Sequence, residues 1–115
     1  MQHYSLDNLK KISRDNRSFI FKMIELFIST VGPSLAAIHA GAAENDSKKV
    51  FLNIHKIKSN LKYFEMNDIE DDVALLEKLA REHTPIESLQ PIIDRIAPII
   101  QSTMDALITE KEQFS

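Results

Sequence analysis

The sequence predicts an all-α domain, an up-and-down four-helix bundle with one short additional helix at its front. Three observations predict it. Only two glycines, Gly32 and Gly41, occur in 115 residues, which leaves few turn residues for hairpins. No stretch alternates apolar and polar residues with the period of a half-buried strand. Long runs instead place apolar residues at three- and four-residue spacing, separated by short clusters of helix-capping residues. With 43% hydrophobic and 27% charged residues, the chain has the composition of a packed globule, and its length suits one domain spanning 1–115.

The elements follow in order. Ser5 or Asp7 can cap a short first helix through about Ser13. Asp15 or Asn16 caps a second, whose Phe19, Ile20, Met23, Ile24, Leu26, Phe27, Ile28 and Val31 form a stripe broader than one face. So wide a surface needs more than one neighbour, and the first helix is expected to cover the excess. Gly32-Pro33 is expected to kink or break this helix before the pattern resumes at Leu35 and Ile38 and stops near Gly41. Asn45-Asp46-Ser47 opens a third helix running to about Phe64. Asn67 and Glu70, at capping-box spacing, open a fourth to about Glu82. Thr84-Pro85-Ile86-Glu87 supplies cap, helix-starting proline and third-position glutamate for the last. Its stripe is Leu89, Ile93, Ile96, Ile100, Met104 and Leu107, and Pro98 is expected to bend it or mark a restart.

Much chemistry is excluded. Without cysteine there is no disulfide scaffold, thiolate zinc site, thiol catalysis or iron–sulfur cluster. Two isolated glycines make neither a Walker loop nor a dinucleotide fingerprint. A net charge of −3 is not the footprint of a nucleic-acid binder. There is no run of some 18 apolar residues to span a membrane, and no secretory signal opens the chain. A cytoplasmic monomer is the expectation. A di-iron bundle needs Glu-x-x-His pairs, and none of His3, His39, His55 or His83 has a glutamate three residues before it. No metal site is expected.

The third helix is the informative one. At about 100° per residue, Val50, Ile54, Ile57, Leu61 and Phe64 fall within roughly 40° of one direction, the core face. His55 falls about 140° away, with Phe51 near 100°, Lys62 near 120°, Lys48 near 160°, Ser59 near 180° and Leu52 near 200°, and Lys58 on the shoulder near 80°. An outward histidine thus lies mid-helix, with lysines on its own side, two apolar residues one turn before it and a small residue one turn after.

The string His55-Lys56-Ile57-Lys58-Ser59 resembles the phosphoacceptor motif of histidine phosphotransfer (HPt) domains. There the histidine is followed at the third position by lysine and at the fourth by a small residue, usually glycine. The short first helix, the aromatic-rich second helix, the proline after it and the Leu76-Glu77 pair after the motif are also similar, over nearly the whole chain. Two positions differ from the family pattern: Ser59 and Glu65 stand where glycine is usual. For Glu65 the alternatives are a strained left-handed stop or a shift of the stop to Asn67, and the second is the expectation.

The resemblance implies a phosphorelay carrier that exchanges a phosphoryl group with the aspartate of response-regulator receiver domains, in some settings with a hybrid histidine kinase. His55 would be the phosphoacceptor and Lys58 a phosphoryl contact. Phe51, Leu52, Ser59, Lys62 and Lys48 would form the docking face. An exposed imidazole is mostly neutral near neutral pH, as a nucleophile must be, and an ammonium can make a charge-assisted contact to phosphoryl oxygens. The chain would need no cofactor and would not be a self-sufficient enzyme, because the receiver would bring the aspartyl phosphate and its Mg²⁺. The alternative is a non-catalytic helical adaptor using the same face. A membrane-surface helix fits less well, since the basic face is confined to one helix. Of the other histidines, His3 is expected in a mobile end, His39 in the turn before Gly41, and His83 at a helix C-terminus.

Overall fold

The computed structural model describes residues 2–115. Helices α1 (Asp7–Ser13), α2 (Arg17–Ala43), α3 (Ser47–Tyr63), α4 (Glu70–Arg81) and α5 (Ile86–Glu110) follow one another, with single 3₁₀ turns at Asn67–Ile69 and Lys111–Phe114. No strand occurs among the described residues. Helices α2 to α5 form an antiparallel four-helix bundle in which each packs on its sequence neighbours and α5 closes against α2. The bundle is elongated, 44 × 24 × 21 Å.

One stripe from each long helix meets in the core: Ile20, Ile24, Phe27, Val31, Leu35 and Ile38 of α2, Val50, Ile54, Ile57 and Leu61 of α3, and all six expected positions of α5. The Phe27 and Phe64 rings meet at 4.5 Å. The stripe of α2 is narrower than its sequence suggests. Leu26 and Phe19 are exposed, while α1 contributes Leu9 to the core and the C-terminal turn lays Phe114 against it. Lys10 and Arg17 sit over the Phe114 ring, and Arg17 also donates to the Gln113 carbonyl.

Neither proline signal interrupts a helix. The segment Arg17–Ala43 runs through Gly32-Pro33, and Ile86–Glu110 runs through Pro91 and Pro98. All three prolines are on the exposed side, where water can satisfy the carbonyl that each ring leaves without a partner. Buried residues on both sides, Val31 and Leu35 in α2, Ile96 and Ile100 in α5, hold the axis together. His39 therefore lies within α2 rather than in a turn. His3 is tied down, its Nδ1 lying 2.7 Å from Asp68 Oδ2.

The caps divide. Asn16 and Asp46 accept the N–H groups of Phe19 and Lys49 at 3.0 Å, as expected. Asn67 does not cap α4. It begins a 3₁₀ turn, and α4 starts at Glu70, where Glu70, Asp71 and Asp72 favour the positive helix end. Nor does a Thr84 side chain cap α5, whose capping position is taken by Pro85.

The chain stops its helices without glycine. Arg14, Asn45, Glu65 and His83 all adopt left-handed φ, between 53° and 57°. At all four the paired bonds of a Schellman turn follow, from Asp15 to Lys10, Asp46 to Gly41, Met66 to Leu61 and Thr84 to Leu79, each with a companion bond nested inside it. Gly41 serves another need: a Cβ there would come within 3.0 Å of Val50 and 3.1 Å of the Asp46 carbonyl, where α3 turns back on α2. The stop after α3 thus falls on Glu65 and not on Asn67. Glu65 is held by both of its ends, since its carboxylate accepts the Asn8 N–H at 3.1 Å at the start of α1 while the neighbouring Phe64 carbonyl accepts from Ser5 N–H at 2.9 Å.

Candidate functional site

Helix α3 presents its apolar stripe to the core and its other side to solvent. Val50, Ile54, Ile57, Leu61 and Phe64 are all buried. His55, Leu52, Ser59, Lys58, Lys62 and Lys48 are exposed, and Phe51 is half-buried. The helical phase alone places them so.

What the phase could not supply comes from α4. Glu77 reaches across to α3 with only 5% of its side chain exposed. Its Oε2 lies 2.6 Å from His55 Nδ1, and its Oε1 accepts from Lys58 Nζ at 2.9 Å. Arg81, one turn further along α4, approaches the same Oε1 at 3.7 Å. Burial acts to raise the Glu77 carboxyl pKa, but the hydrogen bonds from Lys58 and His55 outweigh it and hold the group below its ordinary value. Glu77 is therefore an anion near neutral pH and acts on His55 as an acceptor. An acceptor at Nδ1 places the ring proton there and leaves the Nε2 lone pair free. The imidazole is 66% exposed, so that lone pair is reachable from solvent.

The ring is also held from its face. Phe51 stacks on His55 with centroids 5.6 Å apart and planes 23° from parallel, and the Arg81 guanidinium lies 5.7 Å over the other partner, Phe51. A single buried carboxylate and a single aromatic ring thus fix tautomer and orientation of a solvent-facing histidine.

The residues of the face expected from sequence line three hollows beside α3. Lys48, Phe51 and Leu52 line a hollow with Ala80, Arg81 and His83 on one side of the Glu77 cluster. Lys58 and Lys62 line another with Leu61, Met66 and Val73 on the other side. Ser59 borders a third with Tyr63 and Glu65. Lys58 is committed to Glu77 rather than standing free, and Lys48 and Lys62 make no ion pair among the described residues. Glu77 and Arg81 were not among the residues expected at the site. A signal for Glu77 existed: with Val73, Leu76 and Ala80 it occupies core-phase positions of α4, and an acid in that phase requires a cationic partner. Among the described residues no three His, Asp or Glu side chains cluster as metal ligands.

The model of the Hpt domain family matches residues 22–110, which includes every residue of this cluster. The chain belongs to the Hpt domain family. It is a phosphorelay carrier, a phosphotransfer protein whose partners are of the receiver-domain kind. The fold of this Hpt domain is similar to the HPt domain of a sensor hybrid histidine kinase from Shewanella, with a TM-score of 0.83 and 16% identity over 96% of this chain and 95% of that one. No curated protein matches the chain.

Proposed function

We propose that this Hpt domain carries its phosphoryl group on Nε2 of His55 and exchanges it with the aspartate of a docked receiver domain. The observation that carries this reading is the 2.6 Å contact of buried Glu77 with Nδ1 of an otherwise exposed ring. The Nε2 lone pair attacks phosphorus and forms the N–P bond. The bond from phosphorus to the aspartyl oxygen breaks, and the receiver carboxylate leaves with that electron pair. The proton on Nδ1 stays in place, so the ring gains positive charge as it is phosphorylated. Glu77, already ionised and in contact, stabilises that charge as it develops. The reverse step returns the phosphoryl group to an aspartate.

In this reading Lys58 moves toward the phosphoryl oxygens and adds a charge-assisted contact. Ser59, small and exposed, leaves room for the receiver's loops. Phe51, Leu52, Lys62 and Lys48 supply the docking face, with screened attraction from the lysines. The domain brings a positioned imidazole and a surface. The receiver brings the acyl phosphate and its Mg²⁺, so the domain needs no cofactor of its own and performs no turnover alone. The reading places the carrier in the cytoplasm as a monomer, without nucleic-acid or membrane partners.

The test is incubation with a phosphorylated receiver. His55→Gln should keep the helical circular dichroism and melting temperature and accept no label. Undiminished labelling of that variant would overturn the assignment, and an unlabelled wild type against all receivers of the source organism would favour a non-catalytic adaptor.

A further inference from the structure

An imidazole, an ammonium and a guanidinium converge on one buried carboxylate, and they are not equivalent. His55 holds Oε2 of Glu77 at 2.6 Å, Lys58 holds Oε1 at 2.9 Å, and Arg81 stands 3.7 Å from that same Oε1, too far for a hydrogen bond. Arg81 is not there by accident of a floppy chain. It lies four residues after Glu77 on α4, and its guanidinium is parked 5.7 Å over the Phe51 ring. It is held close to an oxygen that another group occupies.

Phosphorylation would change who can occupy it. A dianionic phosphoryl group on Nε2, one helical turn from Lys58, competes with Glu77 for the ammonium. If Lys58 leaves and nothing replaces it, Oε1 becomes an uncovered anionic oxygen in a side chain 5% exposed, which is costly. Closing the gap from 3.7 Å to hydrogen-bond distance requires only a side-chain adjustment by Arg81, whose side chain is 61% exposed.

Resting on the carrier reading above, we propose that Arg81 is a positioning residue that replaces Lys58 on Glu77 Oε1 when His55 is phosphorylated, releasing Lys58 to the phosphoryl group. Glu77 then stays paired in both states and never loses its grip on Nδ1. The exchange forms and breaks ion pairs only; no covalent bond or proton moves. Phe51 has a second part in it, since it both stacks on His55 and stages Arg81.

The decisive feature is dependence on Lys58. Without that lysine nothing is exchanged, so Arg81 should cease to matter for the phosphorylated state. Wild type, Arg81→Ala, Arg81→Lys, Lys58→Ala and the Lys58→Ala/Arg81→Ala double variant would be loaded with phosphoramidate, a small-molecule phosphodonor that needs no receiver. The phosphohistidine lifetime would be followed by ³¹P NMR after removal of the donor. Arg81→Ala should shorten the lifetime at least about threefold when Lys58 is present, the scale of an exposed ion pair. It should change the lifetime by less than about 1.5-fold in the Lys58→Ala background, within that same scale. Arg81→Lys should restore most of the loss. In the wild type, the Arg81 guanidinium N–H signals should exchange more slowly with water after loading, a readout that needs no variant. An equal loss in both backgrounds would mean that Arg81 contacts the phosphoryl group directly and would overturn the exchange, as would no loss in either. Absence of label on wild-type His55 would overturn the carrier reading and the exchange with it.

Discussion

Helix α4 carries two carboxylates that bridge to its neighbours, and they are built differently. Asp72 faces α5 and meets Arg95 in a two-pronged bridge, at 2.9 and 3.1 Å, with its side chain 30% exposed. Hydrogen bonding to Arg95 lowers the Asp72 carboxyl pKa, with burial opposing weakly. Glu77 faces α3, is nearly sealed from water, and is shared among an imidazole, an ammonium and a distant guanidinium. The first pair satisfies one partner with ideal geometry at the surface. Such a bridge contributes little and has nothing left to give. The second keeps a buried charge with more suitors than places, as the proposed exchange of Lys58 for Arg81 requires.

The largest expected effect separates the two on function. Glu77→Ala should slow phosphotransfer at least about tenfold, the usual scale for losing a group that orients a reacting ligand. Asp72→Ala should leave the transfer rate within about twofold, since an exposed pair contributes about 0.2–1 kcal/mol. Stopped-flow transfer from a phosphorylated receiver measures both, and equal losses would show that the two carboxylates do not differ in function. Next in size is the docking face. Ser59→Arg should slow transfer severely while stability stays within about 0.5 kcal/mol, as surface changes usually do. Lys58→Ala should slow transfer or shorten the phosphohistidine lifetime without abolishing transfer.

Stability sharpens the same contrast at low pH. Both carboxyls titrate below their ordinary values in the folded state. Each therefore contributes stability in full above about pH 5, past the unfolded pKa of both, and loses it as the pH falls through the lower folded value. Glu77→Gln should flatten the acid limb of the unfolding free energy below about pH 5 more than Asp72→Asn, because the buried charge is the less screened of the two. Denaturant titrations across that range would decide it, and the reverse order would place the weight on the surface bridge.

The smallest effects lie at the helix stops. His83 and Glu65 share left-handed φ near 55° but differ in what their side chains do. His83 makes only a marginal 3.5 Å approach to Ser47, whereas the Glu65 carboxylate caps α1. Glycine relieves a left-handed cost of about 1 kcal/mol. His83→Gly should therefore stabilise by up to about 1 kcal/mol, and Glu65→Gly by clearly less, because the loss of a cap offsets about as much. Neither change removes the bond between His55 and Glu77, so phosphotransfer to His55 should not be lost in either variant.

Periodicity and one short motif were enough to determine which helices form, which stripe α3 and α5 bury, and that His55 faces outward with Lys58, Ser59 and the apolar pair Phe51 and Leu52 around it. Those properties depend on neighbours within a turn or two of the same helix, so they are written locally. Three things were decided only by the tertiary structure. Gly32-Pro33 and Pro98 remain inside unbroken helices because packing on both sides outweighs a lost hydrogen bond facing water. The stop after α3 falls on Glu65 because Asn8 of α1 binds that carboxylate and Ser5, just before α1, binds the carbonyl beside it, both more than fifty residues away in sequence. Glu77 meets Nδ1 of His55 because the antiparallel packing of α3 on α4 brings residue 77 opposite residue 55. A residue's helical phase shows whether it faces water or core, but which side chain of the next helix it meets depends on register and crossing, and those are properties of the assembled bundle.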